Sequence, residues 1–125
     1  MRIFLVSLVT LVTLAACGGG NENPSAANAD QKAPQTNTSV YKYAGSVQCT
    51  GGGTSLAAME RQLTDAGIQV LASACGADGK LYPTVCGAAD GRIGIMEAPA
   101  DQAQAASALG FAPLSNLPEA TRVPC

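Results

Sequence analysis

From residue 40 onward, apolar and polar positions follow the patterns of a small folded domain. Residues 40–49 alternate, with Tyr41, Tyr43 and Val47 on one side and mostly polar or small residues on the other. A period of two is typical of a strand with one face in the core. We therefore predict a first, half-buried strand over this segment.

An amphipathic helix is predicted after this strand. Apolar side chains recur there at helical spacing, and they are Leu56, Met59, Leu63 and Ala66. Either Thr54 or Ser55 can cap the first turn, because a side-chain oxygen at that position accepts a free backbone N–H. Gly67 stands where a glycine commonly ends a helix.

Further strands and turns are predicted beyond the helix. The strands cover residues 68–74, 81–86 and 92–97, and residues 121–125 are a candidate edge strand. The dipeptides Asp78-Gly79 and Asp90-Gly91 are strong signals for tight hairpin turns between them.

A second helix is predicted over residues 102–109, because Asp101 and Gln104 have the spacing of a capping box. Phe111 is placed to fold back onto its last turn. The first β-α-β unit should form a right-handed crossover to a parallel neighbour. The predicted class is α+β, a disulfide-stapled antiparallel or mixed sheet with two helices on one face. A ferredoxin-like order is the nearest template for residues 40–125.

The residues before the domain have the pattern of an exported and anchored chain. Arg2 precedes an uncharged run over 3–14, which is shorter than the roughly 20 residues that span a bilayer and suits a signal peptide. The following Leu-Ala-Ala-Cys, residues 14–17, resembles the lipobox of bacterial lipoproteins. The resemblance implies removal of residues 1–16 and attachment of lipid, with palmitate as an acyl group, to Cys17.

The same resemblance implies a place in the cell. Gly18 rather than Asp follows Cys17, which in Gram-negative lipoproteins is compatible with the outer membrane, facing the periplasm. From there to residue 39 the chain has no Leu, Ile, Val, Phe or Tyr. Such a segment buries too little apolar surface to fold, so residues 17–39 are predicted to be the lipidated cysteine and a disordered tether.

The remaining cysteines are Cys49, Cys75, Cys86 and Cys125. An even number in an exported chain predicts two disulfides. A zinc site is the competing interpretation, but it lacks the usual C-x-x-C pairs. If Asp78-Gly79 is a two-residue turn, Cys75 faces Tyr82 rather than Cys86, which argues against a Cys75–Cys86 bridge. The other two pairings stay open.

Residues 75–86 read CGADGKLYPTVC and are similar to the central hairpin of Kazal-type protease inhibitors, C-G-x-D-G-x-x-Y-x-x-x-C. The resemblance implies the pairing Cys49–Cys86 with Cys75–Cys125. In that family the hairpin is scaffold and the inhibitory loop precedes it. The six-cysteine frame of the family is absent here, so no inhibitory residue is carried over.

Residues 75–80 and 86–92 nearly repeat each other: each has Cys-Gly, a short Ala step, Asp-Gly and a basic residue. One interpretation is two consecutive hairpin turns that use the same turn chemistry. The other is a paired display of charges at an edge that binds a partner. The candidate partner contacts are Asp78, Lys80, Asp90 and Arg92.

Composition narrows the function further. The chain has 7 Lys and Arg, 9 Asp and Glu and no His, which excludes a strongly basic nucleic-acid surface, a Ser-His-Asp triad and His-ligated metal. The glycine-rich loop 50–55 lacks the lysine of a phosphate-binding loop.

A carboxylate pair drawn from Glu60, Glu97 and Asp101 is not favoured, because Glu60 should face water and Asp101 should cap a helix. We predict no cofactor and no catalytic residue.

We therefore expect a non-catalytic, lipid-anchored module of the bacterial cell envelope that binds an envelope protein or a cell-wall component. The alternatives are a small protease inhibitor and an enzyme with an unrecognised site. An exposed apolar or charged edge around residues 76–92 would favour the first. A rigid protruding loop flanked by disulfides would favour the second, and a deep cleft with converging polar groups the third.

Overall fold

Five short strands form an antiparallel sheet in the computed structural model, which describes residues 34–125. In chain order they are β1 (Asn37–Tyr43), β2 (Ala72–Ala77), β3 (Arg92–Pro99), β4 (Ala112–Pro113) and β5 (Thr121–Arg122). The helices are α1 (Leu56–Asp65) and α2 (Ala103–Ala108), with short 3-10 helices at Ala100–Gln102 and Leu114–Asn116. The predicted α+β class is confirmed. The predicted signal peptide, Cys17 and the first part of the tether lie outside the described residues.

The strand order across the sheet is β4-β1-β3-β2-β5, and each neighbouring pair is antiparallel. β3 takes the centre because it carries apolar side chains on both faces: Ile93 and Ile95 on one, Met96 and Ala98 on the other, all buried. β1 and β2 each pair with β3 and not with each other. The prediction that the first β-α-β unit joins parallel neighbours is therefore wrong.

The main core lies between the sheet and the helices. Its buried members are Val40, Met59, Leu63, Ile68, Met96, Ala98, Ala106 and Phe111. Because both helices contribute to this one cluster, they cover the same face of the sheet. On the other face, Ile93 and Ile95 pack with Leu117 from the segment after β4.

α1 follows the predicted pattern. Of the two candidate caps, Ser55 is the one used: its Oγ accepts a hydrogen bond from the Ala58 N–H at 3.2 Å. Met59 and Leu63 face the core. Gly67 ends the helix with a φ of 79°, a left-handed conformation that glycine adopts without steric cost.

β1 is displaced toward the N-terminus relative to the prediction. It begins at Asn37, inside the segment predicted as tether, because the edge of β3 continues to pair there. It ends at Tyr43 rather than at residue 49. Val47 exchanges two backbone hydrogen bonds with Gly51, at 3.0 and 2.9 Å, so the chain forms a tight turn where a strand was predicted.

β2 begins later than predicted. The segment 68–71 is not part of the strand, although Ile68 is buried in the main core. The Gln69 N–H donates to Oε1 of Gln102 at 2.8 Å instead of to a neighbouring strand. The strand then continues through Ala77, with Cys75 inside it.

The predicted capping box at Asp101 is wrong. Asp101 lies in the 3-10 helix that precedes α2, and no side chain caps α2; the side chain of Gln102 binds Gln69 instead. The prediction for Phe111 is confirmed, since its side chain is buried and its N–H returns to the Ala106 carbonyl at 3.2 Å. No helix within residues 34–125 combines the length and apolarity needed to cross a bilayer.

Candidate functional site

The two most exposed large apolar side chains of the described residues lie in residues 78–91, hereafter the connecting loop. Leu81 is fully exposed (101 %) and Val85 is 61 % exposed. β2 and β3 pair continuously from Ala72 opposite Glu97 to Ala77 opposite Arg92, so one long connection joins them. Large exposed apolar groups on a loop are candidates for partner contact.

The predicted strand over residues 81–86 and the two predicted hairpin turns are therefore wrong. The physical reason is that both edges of β2 are occupied at the end where residues 81–86 would pair. β3 occupies one edge of β2, and at the end of β2 nearest the loop β5 occupies the other. Pro83 also lacks the N–H that a ladder requires.

Asp78 fixes the first end of the connecting loop. Its N–H donates to the Gly91 carbonyl at 3.0 Å, and its side chain is 2 % exposed. The carboxylate accepts the Lys80 N–H at 3.0 Å, the Tyr43 hydroxyl at 3.0 Å and the Tyr82 hydroxyl at 2.5 Å. A buried carboxylate with three donors is satisfied, so it holds the chain here in one conformation.

These contacts shift the pKa values of the groups involved. Burial alone would raise the pKa of Asp78, but hydrogen bonds from Tyr82, the Lys80 N–H and Tyr43 outweigh burial and lower it. The same hydrogen bond to Asp78, with burial and the carboxylate charge, raises the pKa of Tyr82 to about 12. The Lys80 ammonium donates to the Tyr43 hydroxyl at 3.3 Å, which raises the pKa of Lys80.

Asp90 fixes the other end in the same way. Its Oδ1 accepts the Arg92 N–H at 3.0 Å and the Ser46 hydroxyl at 2.8 Å. Burial would raise the pKa of Asp90, but these two hydrogen bonds and the charge of Arg92 lower it. Both aspartates thus accept the N–H two residues ahead, which is the turn chemistry that the sequence repeat indicated.

The four candidate partner contacts do not share one exposed edge. Asp78 is buried, so the prediction of an exposed turn charge is wrong for it, and Asp90 is half-buried and bonded within the domain. The reason is that each carboxylate satisfies backbone and side-chain donors of its own loop. Lys80 and Arg92 are exposed and stay candidates.

A disulfide and backbone hydrogen bonds hold the far part of the connecting loop. Cys86 is bonded to Cys49, in the turn after β1. Beside it, the Gln48 N–H donates to the Ala88 carbonyl at 2.8 Å, and the Gly87 N–H donates to the Gln48 carbonyl at 3.1 Å. In the intervening residues 81–84, no backbone group hydrogen-bonds to another described residue.

The second disulfide joins Cys75 of β2 to Cys125. The two bridges are the pairing that the Kazal resemblance implies, and they leave none of these four sulfurs for zinc. The absence of a Cys75–Cys86 bridge agrees with the sequence, although its supposed cause, a two-residue turn at Asp78-Gly79, does not occur.

A cleft of about 490 Å³ lies beside the first turn of α1. Its lining combines apolar side chains such as Leu56 and Met59 with the polar residues Ser46 and Asp90, which are bonded to each other. The glycine-rich loop 50–55 borders it. Among residues 34–125, no His, Cys, Asp and Glu side chains group in a way that could hold a metal ion.

The carboxylates considered as an acid pair are separated. Glu60 accepts a hydrogen bond from Ser73, which pairs with Met96 on the helix side of the sheet. Glu97 follows Met96 along β3, so it points to the opposite face, where it accepts from Asn37 at 3.2 Å. Asp101 lies in the 3-10 helix.

Comparisons of the chain with models of protein families, with curated proteins and with solved structures found no match. The Kazal resemblance therefore depends on residues 75–86 alone, and in the structure this segment is a strand end followed by an irregular loop rather than a hairpin. The geometry of the connecting loop carries the functional argument.

Proposed function

We propose that this protein is a lipid-anchored binding module of the bacterial cell envelope that presents its connecting loop to a protein partner. The single observation that carries the proposal is Leu81, a leucine left fully in water on a loop that is fixed at both ends. Fully burying a leucine is favourable by about 1.5–3 kcal/mol. A partner with an apolar pocket would gain this free energy.

The fixed ends of the loop make such binding efficient. Asp78 and the Cys49–Cys86 bridge already restrict the chain on both sides of Leu81. Less conformational entropy is then lost when a partner immobilises the loop. The exposed charge of Lys80 beside Leu81 favours an apolar pocket with an acidic rim.

The lipobox and the polar segment after it support the location. A lipid on Cys17 would hold the domain at a membrane, and dual acylation gives stable anchoring where one chain is marginal. A flexible tether of about 20 residues has a root-mean-square reach of roughly 25 Å. Such an arrangement suits a domain that docks on a neighbouring envelope protein.

We also propose that the domain is a ferredoxin-like variant. The support is the element order from β1 to β4, β-α-β-β-α-β, with the sheet order β4-β1-β3-β2 and both helices on one face. β5 extends this pattern by one short edge strand. The fold assigns no activity.

Site-specific photocrosslinking in cells tests the binding proposal. A photoreactive side chain placed at Leu81 or at Val85 should capture a discrete protein partner. Leu71, an exposed leucine (41 %) outside the connecting loop, provides the matched control position and should capture none. Equal capture at all three positions, or none at Leu81, contradicts the proposal.

Charge reversal refines the same experiment. Lys80→Glu and Arg92→Glu should leave the fold intact, because both side chains are exposed. Arg92→Glu should alter stability by only about 0.5 kcal/mol, whereas Lys80→Glu also loses its hydrogen bond to the Tyr43 hydroxyl. Lys80→Glu should reduce crosslinking from position 81 if the partner has an acidic rim. Cys17→Ser tests anchoring separately from docking. This variant should be released from the membrane, and its affinity for the isolated partner should be unchanged.

A second candidate function is protease inhibition, and one observation favours it. Residues 81–84 present backbone groups without hydrogen bonds, next to an exposed leucine and between fixed ends. A protease cleft binds such a segment through its backbone. Incubation with a panel of serine proteases tests this: inhibition with residues 80–84 left uncut supports it, and rapid cleavage there without inhibition excludes it.

A further inference from the structure

The turn that carries Cys49 has an unusual backbone. Among the described residues, Cys49 is the only non-glycine residue with a positive φ, 72°. The two hydrogen bonds between Val47 and Gly51 close the turn around this left-handed residue. Glycine or asparagine normally takes such a position, because a side chain there crowds the backbone.

The two disulfides differ in their surroundings. Cys49 and Cys86 are both exposed and lie in a turn and a loop. In the other bridge Cys125 is exposed, but Cys75 is half-buried inside β2, and the Val123 N–H donates to the Cys75 carbonyl at 2.9 Å, so the ladder keeps the chain around Cys125 beside it. Strained or exposed disulfides are the labile ones, because exchange needs access to a sulfur atom.

We propose that Cys49–Cys86 is an exchangeable disulfide, at which a dithiol protein of the cell envelope acts. This proposal rests on the proposed function in one respect, which is that the connecting loop binds a partner. Exchange at this bridge would then regulate how the loop is presented.

The reaction is a two-electron thiol–disulfide exchange. A thiolate of the dithiol protein attacks one sulfur of the bridge and forms a mixed disulfide, and the other cysteine leaves as a thiolate and takes up a proton. The second thiol of the attacking protein then loses its proton and closes that protein's own disulfide. This step releases the remaining cysteine, so Cys49 and Cys86 are reduced and the dithiol is oxidised.

Reduction would loosen one end of the connecting loop and spare the rest of the domain. The two hydrogen bonds between Gln48 and residues 87–88 and the Ser46–Asp90 hydrogen bond would still hold the chain after Cys86, but Gln48 and Ala88 are only half-buried, so water competes for their hydrogen bonds. The Asp78 end, the sheet and Cys75–Cys125 would be unchanged. The segment around Leu81 would therefore lose its fixed presentation.

Graded reduction of the full chain with dithiothreitol tests the proposal. Free thiols are blocked with N-ethylmaleimide at each time point, and the four cysteines are mapped by peptide mass spectrometry. Cys49 and Cys86 should become labelled at least about tenfold faster than Cys75 and Cys125. Simultaneous opening of the two bridges, or earlier opening of Cys75–Cys125, overturns the proposal.

Trapping supplies the second measurement. A thioredoxin-like protein whose resolving cysteine is replaced by serine should form a mixed disulfide with Cys49 or Cys86 and none with Cys75 or Cys125. Failure to trap at both Cys49 and Cys86 also overturns the proposal. Neither measurement uses the loop's binding partner, so a failure here is distinct from a failure of the photocrosslinking experiment.

Discussion

The hydroxyl of Tyr82 donates a 2.5 Å hydrogen bond to the carboxylate of Asp78, four residues earlier in the chain. The same carboxylate oxygen accepts the hydroxyl of Tyr43, from the end of β1. One buried carboxylate thus ties the connecting loop both to itself and to the sheet. Only the ionised carboxylate of Asp78 is free to accept at both oxygens. A protonated carboxyl would place an O–H donor among groups that are themselves donors.

Asp78→Asn should destabilise the domain by about 1–3 kcal/mol. The amide nearly matches the carboxylate in shape, but it has no charge, and an NH₂ group in place of Oδ2 cannot accept from the hydroxyls of Tyr43 and Tyr82, so two charge-assisted hydrogen bonds are lost. Urea unfolding measures the loss. Asp65→Asn is the control, because Asp65 is exposed at the end of α1, and its effect should stay within about 0.5 kcal/mol. Equal midpoints for the two variants would contradict the role of Asp78.

Stability should fall in acid. The pKa values of Asp78 and Asp90 are lowered below the ordinary 3.8, so at acidic pH the unfolded chain binds more protons than the folded chain. Their stabilisation is complete above the ordinary pKa and is lost as pH falls through the folded values. Unfolding midpoints between neutral pH and about pH 2 check this, and Asp78→Asn should flatten the acid slope. An identical slope in the variant would contradict the assignment.

Tyr82 should titrate only in strong base. The pKa of Tyr82 is raised to about 12, so its contribution to stability is present below the ordinary value of 10 and is lost as pH rises toward 12. Ultraviolet absorbance during alkaline titration resolves this component. Tyr82→Phe should remove it, whereas Tyr41→Phe should leave it in place.

Local features of the fold were predictable from the sequence, and long-range ones were not. The face of α1 with Met59 and Leu63, and the strand containing Ile93 and Ile95, follow from spacing along the chain. The insertion of β3 between β1 and β2 depends on competition between distant segments. The segment 81–86 resembles a strand by itself, but in the assembled sheet β3 and β5 already occupy both edges of β2, from which this segment leads away.

The site was predictable in the same partial way. The sequence repeat singled out Asp78 and Asp90, and its interpretation as shared turn chemistry agrees with the hydrogen bonds. Their other partners, Tyr43 and Ser46, lie 35 and 44 residues away in the chain. No local pattern indicates such contacts, so the burial of Asp78 was missed. The exposure of Leu81 was missed because it depends on the absent strand.

Gly91→Ala should be much more destabilising than Gly45→Ala. Both glycines have a left-handed backbone, with φ of 70° and 72°, so both variants pay the same backbone cost of about 1 kcal/mol. A Cβ on Gly91 would also lie 2.6 Å from the Tyr82 ring and 2.7 Å from Asp78 Oδ1, whereas a Cβ on Gly45 would meet nothing within 4 Å. Thermal unfolding compares them, and equal losses would show that the Asp78–Tyr82 packing gives way without cost.

The left-handed turn at Cys49 predicts the order of two bridge-free variants. Cys49→Gly with Cys86→Ala should be more stable than Cys49→Ala with Cys86→Ala. The reason is that glycine adopts the left-handed conformation freely and alanine does not; the expected difference is about 1 kcal/mol. Both variants lose the same disulfide, so the loop-closure effect of the bridge cancels.

Guanidinium unfolding of the pair measures the difference. A more stable alanine variant would mean that the turn rearranges when the bridge is absent, and that the backbone at Cys49 is set by the disulfide rather than by the hydrogen bonds between Val47 and Gly51.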